Sequence, residues 1–263
     1  SRFTLLAAAA LFVIALLLRV LILGQHPFIL NGSEASLGLD AVRALNGGLS
    51  NPFAVGWLTN PTLPAYLQAI PIALFGQTTL AIRFWSPLLG ALTVVAVFLL
   101  GTRLYGRSVG LTAAVLLAGQ HLHLHYSRSG LTNVWDGLLV LLALGWLALA
   151  WQQPPQRSRT TWLLAGTAVG LSAYLFTASR LLPLMLLILL TAQLALNRPR
   201  LRAHWRGLAA MLLLAAVIAL PQILFYRANP GVFMERFNAL GILAGQTGWL
   251  QSYTYSDGLG REL

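Results

Sequence analysis

The sequence of 263 residues contains no cysteine, no lysine and only six acidic residues. Because cysteine is absent, the chain can form neither disulfide bridges nor metal sites built on thiolates. Only 9% of the residues are charged and 57% are hydrophobic, which leaves too little polar surface to cover a soluble globule of this length. These shortages exclude an ordinary soluble domain and predict an integral membrane protein.

The 17 basic residues are all arginines and contribute to a net charge of +11. They lie in short clusters between apolar runs, and no helix-turn-helix or RNA-binding signature accompanies them, so nucleic acid is not expected as a partner. Short arginine-rich loops are typical of the cytoplasmic side of a membrane protein. The positive charge therefore indicates orientation in a membrane.

Seven apolar segments approach the length of about 20 residues with which a helix crosses a bilayer. The predicted spans are residues 3–23, 85–102, 109–125, 133–151, 161–177, 181–196 and 207–225. This assignment puts most arginine clusters on the side of the N-terminus and all acidic residues on the other side: Glu34, Asp40, Asp136, Glu235, Asp257 and Glu262. Under the positive-inside rule, we predict an all-α polytopic membrane helix bundle with a cytoplasmic N-terminus, in the plasma (inner) membrane of a bacterium.

Residues 24–83 form a polar interval between the first two spans. Its first apolar positions recur at helical spacing and predict an amphipathic helix on the membrane surface: Ala35, Leu39, Val42 and Leu45. Asn31 or Ser33 can begin this helix, and Gly47 and Gly48 can end it. The apolar run 61–76 contains two prolines and spans about 16 residues, so we predict a re-entrant or interfacial helix.

The predicted organisation is one transmembrane domain, 1–263, with 24–83 as a large outer loop. Residues 226–263 are expected to form an outer tail that is truncated.

Ionisable residues at a membrane edge cost about 2.5 to 3.5 kcal/mol each on insertion scales, so their positions are informative. Glu34 could face a substrate as a base or metal ligand, or could be an acid favoured by the helix macrodipole. His121 and His125 share a helical face and could ligate a metal, or could be interfacial residues that cap a span.

Two arginines on the predicted outer side are candidate phosphate ligands. Arg128 is followed by Asn133 and Asp136, which are three residues apart and share a helical face. Asp136 could pair with Arg128, or Arg128 could bind a phosphate while Asp136 holds a cation. Arg180 lies on the predicted outer side, whereas the positive-inside rule predicts arginines on the cytoplasmic side. Its planar guanidinium can bind a phosphate through two hydrogen bonds.

The order of several short segments resembles that of GT-C type glycosyltransferases that use polyprenyl-phosphate sugars. Relatives in this class include the protein O-mannosyltransferases and the aminoarabinose transferases of lipid A. The resemblance extends over residues 1–240 and is carried by residues 33–35, 38–41, 60–67, 81–83, 89–94, 104–107, 126–128, Asn133, Asp136 and 178–183.

The resemblance implies an enzyme that moves a hexosyl or pentosyl group from a polyprenyl-phosphate carrier to an acceptor on the outer face of the membrane. It implies Glu34 and Asp136 as catalytic residues. It also implies contacts to substrate and to membrane lipid through Ser33, Tyr66, Arg128, Asn133 and Arg180. A divalent metal ion is a possible cofactor, with Glu34, Asp136, His121 and His125 as possible ligands.

Ser33 stands where the family has aspartate, and a serine hydroxyl cannot act as a general base at neutral pH. The alternative is therefore a catalytically impaired, glycosyltransferase-like scaffold subunit with other membrane proteins as partners. A transporter ranks last, because the middles of the predicted spans contain almost no polar residues.

Overall fold

The computed structural model describes residues 2–49, 51–55 and 60–233. These residues form eleven α-helices and one 3-10 turn, Thr177–Leu181. The helices are α1 Arg2–Val20, α2 Gly32–Leu45, α3 Leu63–Phe75, α4 Thr79–Arg83, α5 Trp85–Tyr105, α6 Arg107–Gly119, α7 His121–Tyr126, α8 Asn133–Gln152, α9 Arg159–Ser172, α10 Leu182–Leu196 and α11 Arg198–Ala228. The predicted all-α membrane bundle is confirmed. Most of the predicted tail, with Glu235, Asp257 and Glu262, lies outside the described residues.

Five helical stretches in the described part are long and apolar enough to cross a membrane by length and composition: Arg2–Val20, Thr79–Tyr105, Asn133–Gln152, Ala178–Leu196 and Arg198–Ala228. The two remaining predicted spans, 109–125 and 161–177, coincide with shorter helices. The first is broken at Gln120, whose extended backbone separates α6 from α7. The second is α9, whose 14 residues extend over about 21 Å, less than the hydrocarbon core of about 30 Å.

The helices pack in two groups that meet along α5 and α8. One apolar cluster joins α1, α5 and α6 around Phe98, and a second joins α8, α9, α10 and α11 around Trp162 and Met211. Small residues allow the helix backbones to approach closely, as is common between membrane helices. A Cβ atom built on Gly166 of α9 would lie 2.6 Å from the carbonyl oxygen of Met211 in α11.

This approach predicts that Gly166→Ala destabilises the bundle, because α9 and α11 must separate to admit the methyl group. Overpacking of this kind costs about 1–3 kcal/mol. Gly137→Ala in α8 is the matched control, since a Cβ atom there meets no atom within 4 Å. Unfolding of the detergent-solubilised protein by SDS measures both variants, and equal stability of the two would contradict the packing argument.

The polar interval is anchored by Glu34. Asn31 begins α2 with a capping box, in which its side chain accepts from the Glu34 N–H at 2.9 Å and its own N–H donates to Glu34 Oε2 at 3.1 Å. The helix ends before Gly47, which has φ +72°, and the Gly48 N–H donates to the Arg43 carbonyl at 2.8 Å. Both predicted ends of this helix are confirmed.

The predicted apolar face of α2 is not the face that packs inward. Its buried residues are Glu34, Gly38 and Ala41, whereas Leu39 is 62% exposed and Leu45 is 46% exposed. Gly38 lies directly against Ile82, so the packing face is set by small residues and by the buried carboxylate. The helix α3 has 13 residues, about 20 Å in length, which agrees with the prediction that this run is too short to cross.

Several connections meet at one end of the bundle, which we call the loop face: residues 21–49, 51–55, 60–84, 127–132 and 173–181. Arg128 donates to the carbonyls of Leu18 and Leu21 at the end of α1. The Ser86 hydroxyl at the start of α5 donates to the Leu131 carbonyl at 3.3 Å. These bonds hold the ends of three helices together around the cavities described next.

Candidate functional site

A polar cavity of about 270 Å³ lies at the loop face. It is enclosed by α2, the start of α3, the start of α8 and residues 175–176. Its polar lining consists of Ser33, Ser36, Asp40, Asn60, Thr62, Tyr126, Thr132 and Asn133. Among the described residues that line it, Asp40 carries the only formal charge. The cavity therefore suits a neutral molecule with several hydroxyl groups better than an anion.

One face of α2 supplies the acidic wall of this cavity. Ser33, Ser36 and Asp40 follow one another at spacings of three and four, which places them on the same helical face. The Asp40 carboxylate accepts a hydrogen bond from Arg43 at 3.2 Å, and its side chain is 18% exposed while that of Arg43 is 68% exposed. Asp40 thus presents a partly screened carboxylate about two turns from Ser33.

A second, larger cavity of about 650 Å³ is a groove between α9, α10 and α11, which we call the lipid groove. Leucine, alanine, isoleucine and valine side chains form most of its walls. Leu187 and Ile223 line it and are each more than half exposed. The groove is therefore open to the outside of the bundle along its side.

Polar groups of the lipid groove are concentrated at its loop-face end. They are Ser172, Ser179, Arg180, Gln222 and Tyr226. The Arg180 guanidinium donates to the Tyr226 hydroxyl at 2.7 Å and to the Phe233 carbonyl at 2.8 Å. It also stacks on both rings, with centroid distances of 5.0 and 4.9 Å. This stacking fixes a permanent positive charge at the rim of an apolar groove.

The two cavities share a wall, residues 172–180. Leu175 and Phe176 line the polar cavity, while Ser172, Ser179 and Arg180 line the lipid groove. Asp136, at the start of α8, lies behind this wall and is 6% exposed. Its Oδ1 atom has no partner among the described residues.

The structure places the predicted site residues in several different environments. Ser33 and Asn133 line the polar cavity, Arg180 lines the lipid groove, and Asp136 lies behind their common wall. Glu34, Arg128 and Tyr66 line neither cavity. No described cavity brings the four predicted charged residues together.

Glu34 occupies a buried ion pair. Its carboxylate is 1% exposed and accepts from Arg83 Nε at 3.0 Å and from the Gly130 N–H at 2.5 Å. Arg83 in turn donates to three backbone carbonyls, those of Leu23, Pro27 and Ile29. This geometry does not fit the expected contact with substrate, because the carboxylate is enclosed and bonded on both oxygens. We assign Glu34 the structural role of tying α2 to α4 and to the 127–132 connection.

Arg128 and Tyr66 also hold backbone groups. Besides the end of α1, Arg128 donates to the His26 carbonyl at 3.1 Å, and burial together with the Arg83 charge lowers the pKa of Arg128. It does not pair with Asp136, as one of the two predicted arrangements required. The Tyr66 hydroxyl donates to the Leu49 carbonyl at 2.6 Å, on the side of α3 that faces away from the polar cavity.

The expected metal ligands do not form a metal site. Within the described part of the chain, no group of three histidine, aspartate or glutamate side chains is placed to hold an ion. His121 and His125 stack on each other with ring centroids 6.4 Å apart, and Glu34 is bonded to Arg83. These residues do not fit a shared divalent ion.

Asp40 and Gln222, which line the two cavities, were not among the predicted site residues. Asp40 could have been found, because it shares the helical face of Ser33 and Ser36. The sequence shows Gln222 only as a polar residue within a predicted span. That it lines a cavity depends on how the neighbouring helices pack around it.

The family model described as dolichyl-phosphate-mannose-protein mannosyltransferase matches residues 59–225. The chain belongs to this family. The fold is similar to that of the archaeal oligosaccharyltransferase AglB from Archaeoglobus fulgidus, solved in complex with an inhibitory peptide and a dolichol-phosphate. The TM-score is 0.59 with 18% sequence identity, and the similarity covers 95% of this chain and 36% of that chain. A comparison with curated proteins finds no match.

The chain thus spans about a third of the length of that archaeal protein. The family match and the fold together confirm the predicted resemblance to GT-C type glycosyltransferases.

Proposed function

We propose that the protein transfers a sugar from a polyprenyl-phosphate carrier to an acceptor at the loop face. The observation that carries this proposal is the shared wall between a polar cavity and an apolar groove with an arginine at its rim. A lipid-linked sugar has this same division, because its polar ring and its hydrocarbon tail are joined by a phosphate. The family to which the chain belongs and the dolichol-phosphate held by AglB support the same class of donor.

The donor would be held in three parts. Its hydrocarbon tail would enter the lipid groove between α10 and α11, where burial of apolar surface is favourable. Its phosphate would meet Arg180, whose charge stabilises the phosphate anion as it leaves. Its sugar would occupy the polar cavity, where Ser33 and Asn133 can exchange hydrogen bonds with hydroxyl groups.

The transfer itself forms one bond and breaks one bond. An acceptor hydroxyl oxygen attacks the anomeric carbon of the sugar, and the bond from that carbon to the phosphate oxygen breaks. The hydroxyl proton passes to the Asp40 carboxylate, and polyprenyl phosphate leaves as an anion. Asp40 would in this way supply the carboxylate that Ser33 cannot, from the same face of α2. Asp136 would act as a positioning residue at the start of α8, and no step passes through a metal ion.

The proposal includes an orientation. The arginine-rich connections at residues 103–107, 153–159 and 197–206 would lie in the cytoplasm with the N-terminus. The loop face would then lie on the outer side of a bacterial inner membrane. Hexosyl and pentosyl donors both remain within this proposal.

Arg180→Ala is expected to weaken the binding of a synthetic polyprenyl phosphate by about 10- to 150-fold. A hydrogen bond to a charged group contributes about 1.5–3 kcal/mol, and each 1.4 kcal/mol is about tenfold in affinity. Arg227→Ala is the matched control, since Arg227 lies next to Tyr226 on α11 but does not line the groove. Binding is measured on the purified protein in lipid nanodiscs with a fluorescent polyprenyl phosphate.

Equal loss in both variants would point to general surface charge and would contradict the proposed site. Sugar transfer from a synthetic polyprenyl-phosphate sugar is measured in parallel. Binding of the lipid without any transfer would favour the alternative, a catalytically impaired scaffold subunit.

A further inference from the structure

Gln222 is a buried polar side chain in the lipid groove. It is 1% exposed, and neither its Nε2 nor its Oε1 atom has a hydrogen-bond partner among the described residues. An amide buried without partners is unfavourable, whereas an apolar side chain of similar size would complete the groove wall without that cost. The position therefore calls for an explanation beyond packing.

Repair of the helix near Pro221 does not explain Gln222. Proline lacks an N–H and leaves one carbonyl of the preceding turn without its helical donor. That carbonyl belongs to Val217, and the Tyr174 hydroxyl donates to the next one along the helix, the Ile218 carbonyl, at 2.5 Å. The Gln222 side chain makes no such bond, although the residue lines the groove.

The two serine hydroxyls near Gln222 already donate to backbone carbonyls, so the Gln222 amide is the side-chain donor at this end of the groove that has no acceptor among the described residues. The Ser179 hydroxyl lies 2.6 Å from the carbonyl oxygens of Ser172 and Phe176 and can donate its one proton to either, and the Ser172 hydroxyl donates to the Val169 carbonyl. Gln222 and Tyr226 are four residues apart on α11, so their Cβ atoms lie about 5–6 Å apart on one face. Tyr226 contacts Arg180, so Gln222 lies one helical turn along α11 from the residue that holds the guanidinium.

We infer that Gln222 is a second phosphate ligand, which lets the groove select phosphorylated polyprenyl lipids over the corresponding alcohols. This inference rests on the proposed function of the groove. The Nε2 amide would donate to a non-bridging phosphate oxygen while Arg180 meets another from the rim. An alcohol offers one oxygen in place of the phosphate group, and it cannot reach both residues.

The test uses Gln222→Leu in the whole chain, with Gln193→Leu as the matched control. Gln193 lies on α10 and lines a different apolar cavity. The probes are a synthetic polyprenyl phosphate and the polyprenol of equal length. We expect Gln222→Leu to weaken binding of the phosphate by about tenfold or more, to leave binding of the alcohol unchanged, and to leave the thermal midpoint of the ligand-free protein at or above the original value. Gln193→Leu should change neither affinity.

A second variant, Gln222→Glu, keeps the size of the side chain and places a carboxylate near the phosphate, so it should weaken phosphate binding further. If Gln222→Leu binds the phosphate as the original protein does, while Arg180→Ala does not, the inference fails and the proposed function stands. Equal weakening for phosphate and alcohol with a lowered thermal midpoint would indicate a packing role and overturn the inference. If the original protein binds the alcohol as tightly as the phosphate, or binds neither, the proposed function fails with it.

Discussion

Replacement of Asp40 by asparagine is expected to lower the rate of sugar transfer by about 10²- to 10⁴-fold, the contribution typical of a positioned general base. Asparagine keeps the shape of the side chain and can still accept the hydrogen bond from Arg43. It cannot take the proton of the acceptor hydroxyl. The loss should therefore appear in kcat, while the affinity for the polyprenyl-phosphate donor stays near its original value.

Two further variants sharpen this prediction. Arg43→Ala removes an exposed partner of Asp40 and should change transfer by only a few-fold, because exposed ion pairs contribute about 0–1 kcal/mol. Ser33→Asp in the Asp40→Asn background restores a carboxylate on the same wall of the polar cavity. Partial recovery of transfer in this double variant is expected, and full activity of Asp40→Asn alone would remove Asp40 from the mechanism.

Replacement of Glu34 by alanine is expected to destabilise the fold by about 3–5 kcal/mol, the cost of leaving one member of a buried ion pair without the other. Arg83 is 0% exposed, so its charge would remain enclosed, with the backbone carbonyls of the 23–29 segment as its acceptors. The N–H groups of Asn31 and Gly130 would also lose the carboxylate that accepts from them. The loss is measured as the free energy of unfolding in an SDS titration of the detergent-solubilised protein.

The surface pair Asp40–Arg43 provides the comparison for this experiment. Arg43→Ala breaks an ion pair on the same helix, but its guanidinium is largely exposed, so the expected change is within about 1 kcal/mol. A Glu34→Ala protein that keeps its stability and loses only sugar transfer would contradict the structural role. Such a result would return Glu34 to the catalytic role that the family resemblance implied.

The secondary structure of this chain could be predicted closely because its determinants are local. Apolar runs bounded by arginine clusters correspond to helices at all seven predicted positions, and Asn31 and Gly47 mark the ends of α2 as expected. The lengths of the individual helices were less predictable than their positions. The extended backbone of Gln120 divides one predicted span into two helices, and α9 ends at Ser172. In both places the helix stops although the apolar run continues.

The candidate site could be predicted only in part. Ser33, Asn133 and Arg180, which were predicted to contact substrate, line cavities because each lies at a helix end on the loop face. The roles of the two acids on α2 could not be distinguished by residue type. Glu34 meets an arginine 49 positions away, whereas Asp40 meets the exposed Arg43 one turn along the same helix.

The sequence by itself determined that this protein is a helical membrane bundle of the GT-C type, because hydropathy, charge bias and segment order are properties of the chain read in one dimension. Only the tertiary structure decided that Glu34 is enclosed, that Asp40 faces a cavity, and that the buried Gln222 amide has no hydrogen-bond partner among the described residues. Each of those outcomes depends on which distant residues surround a side chain, and burial and hydrogen bonding are fixed only when the helices pack.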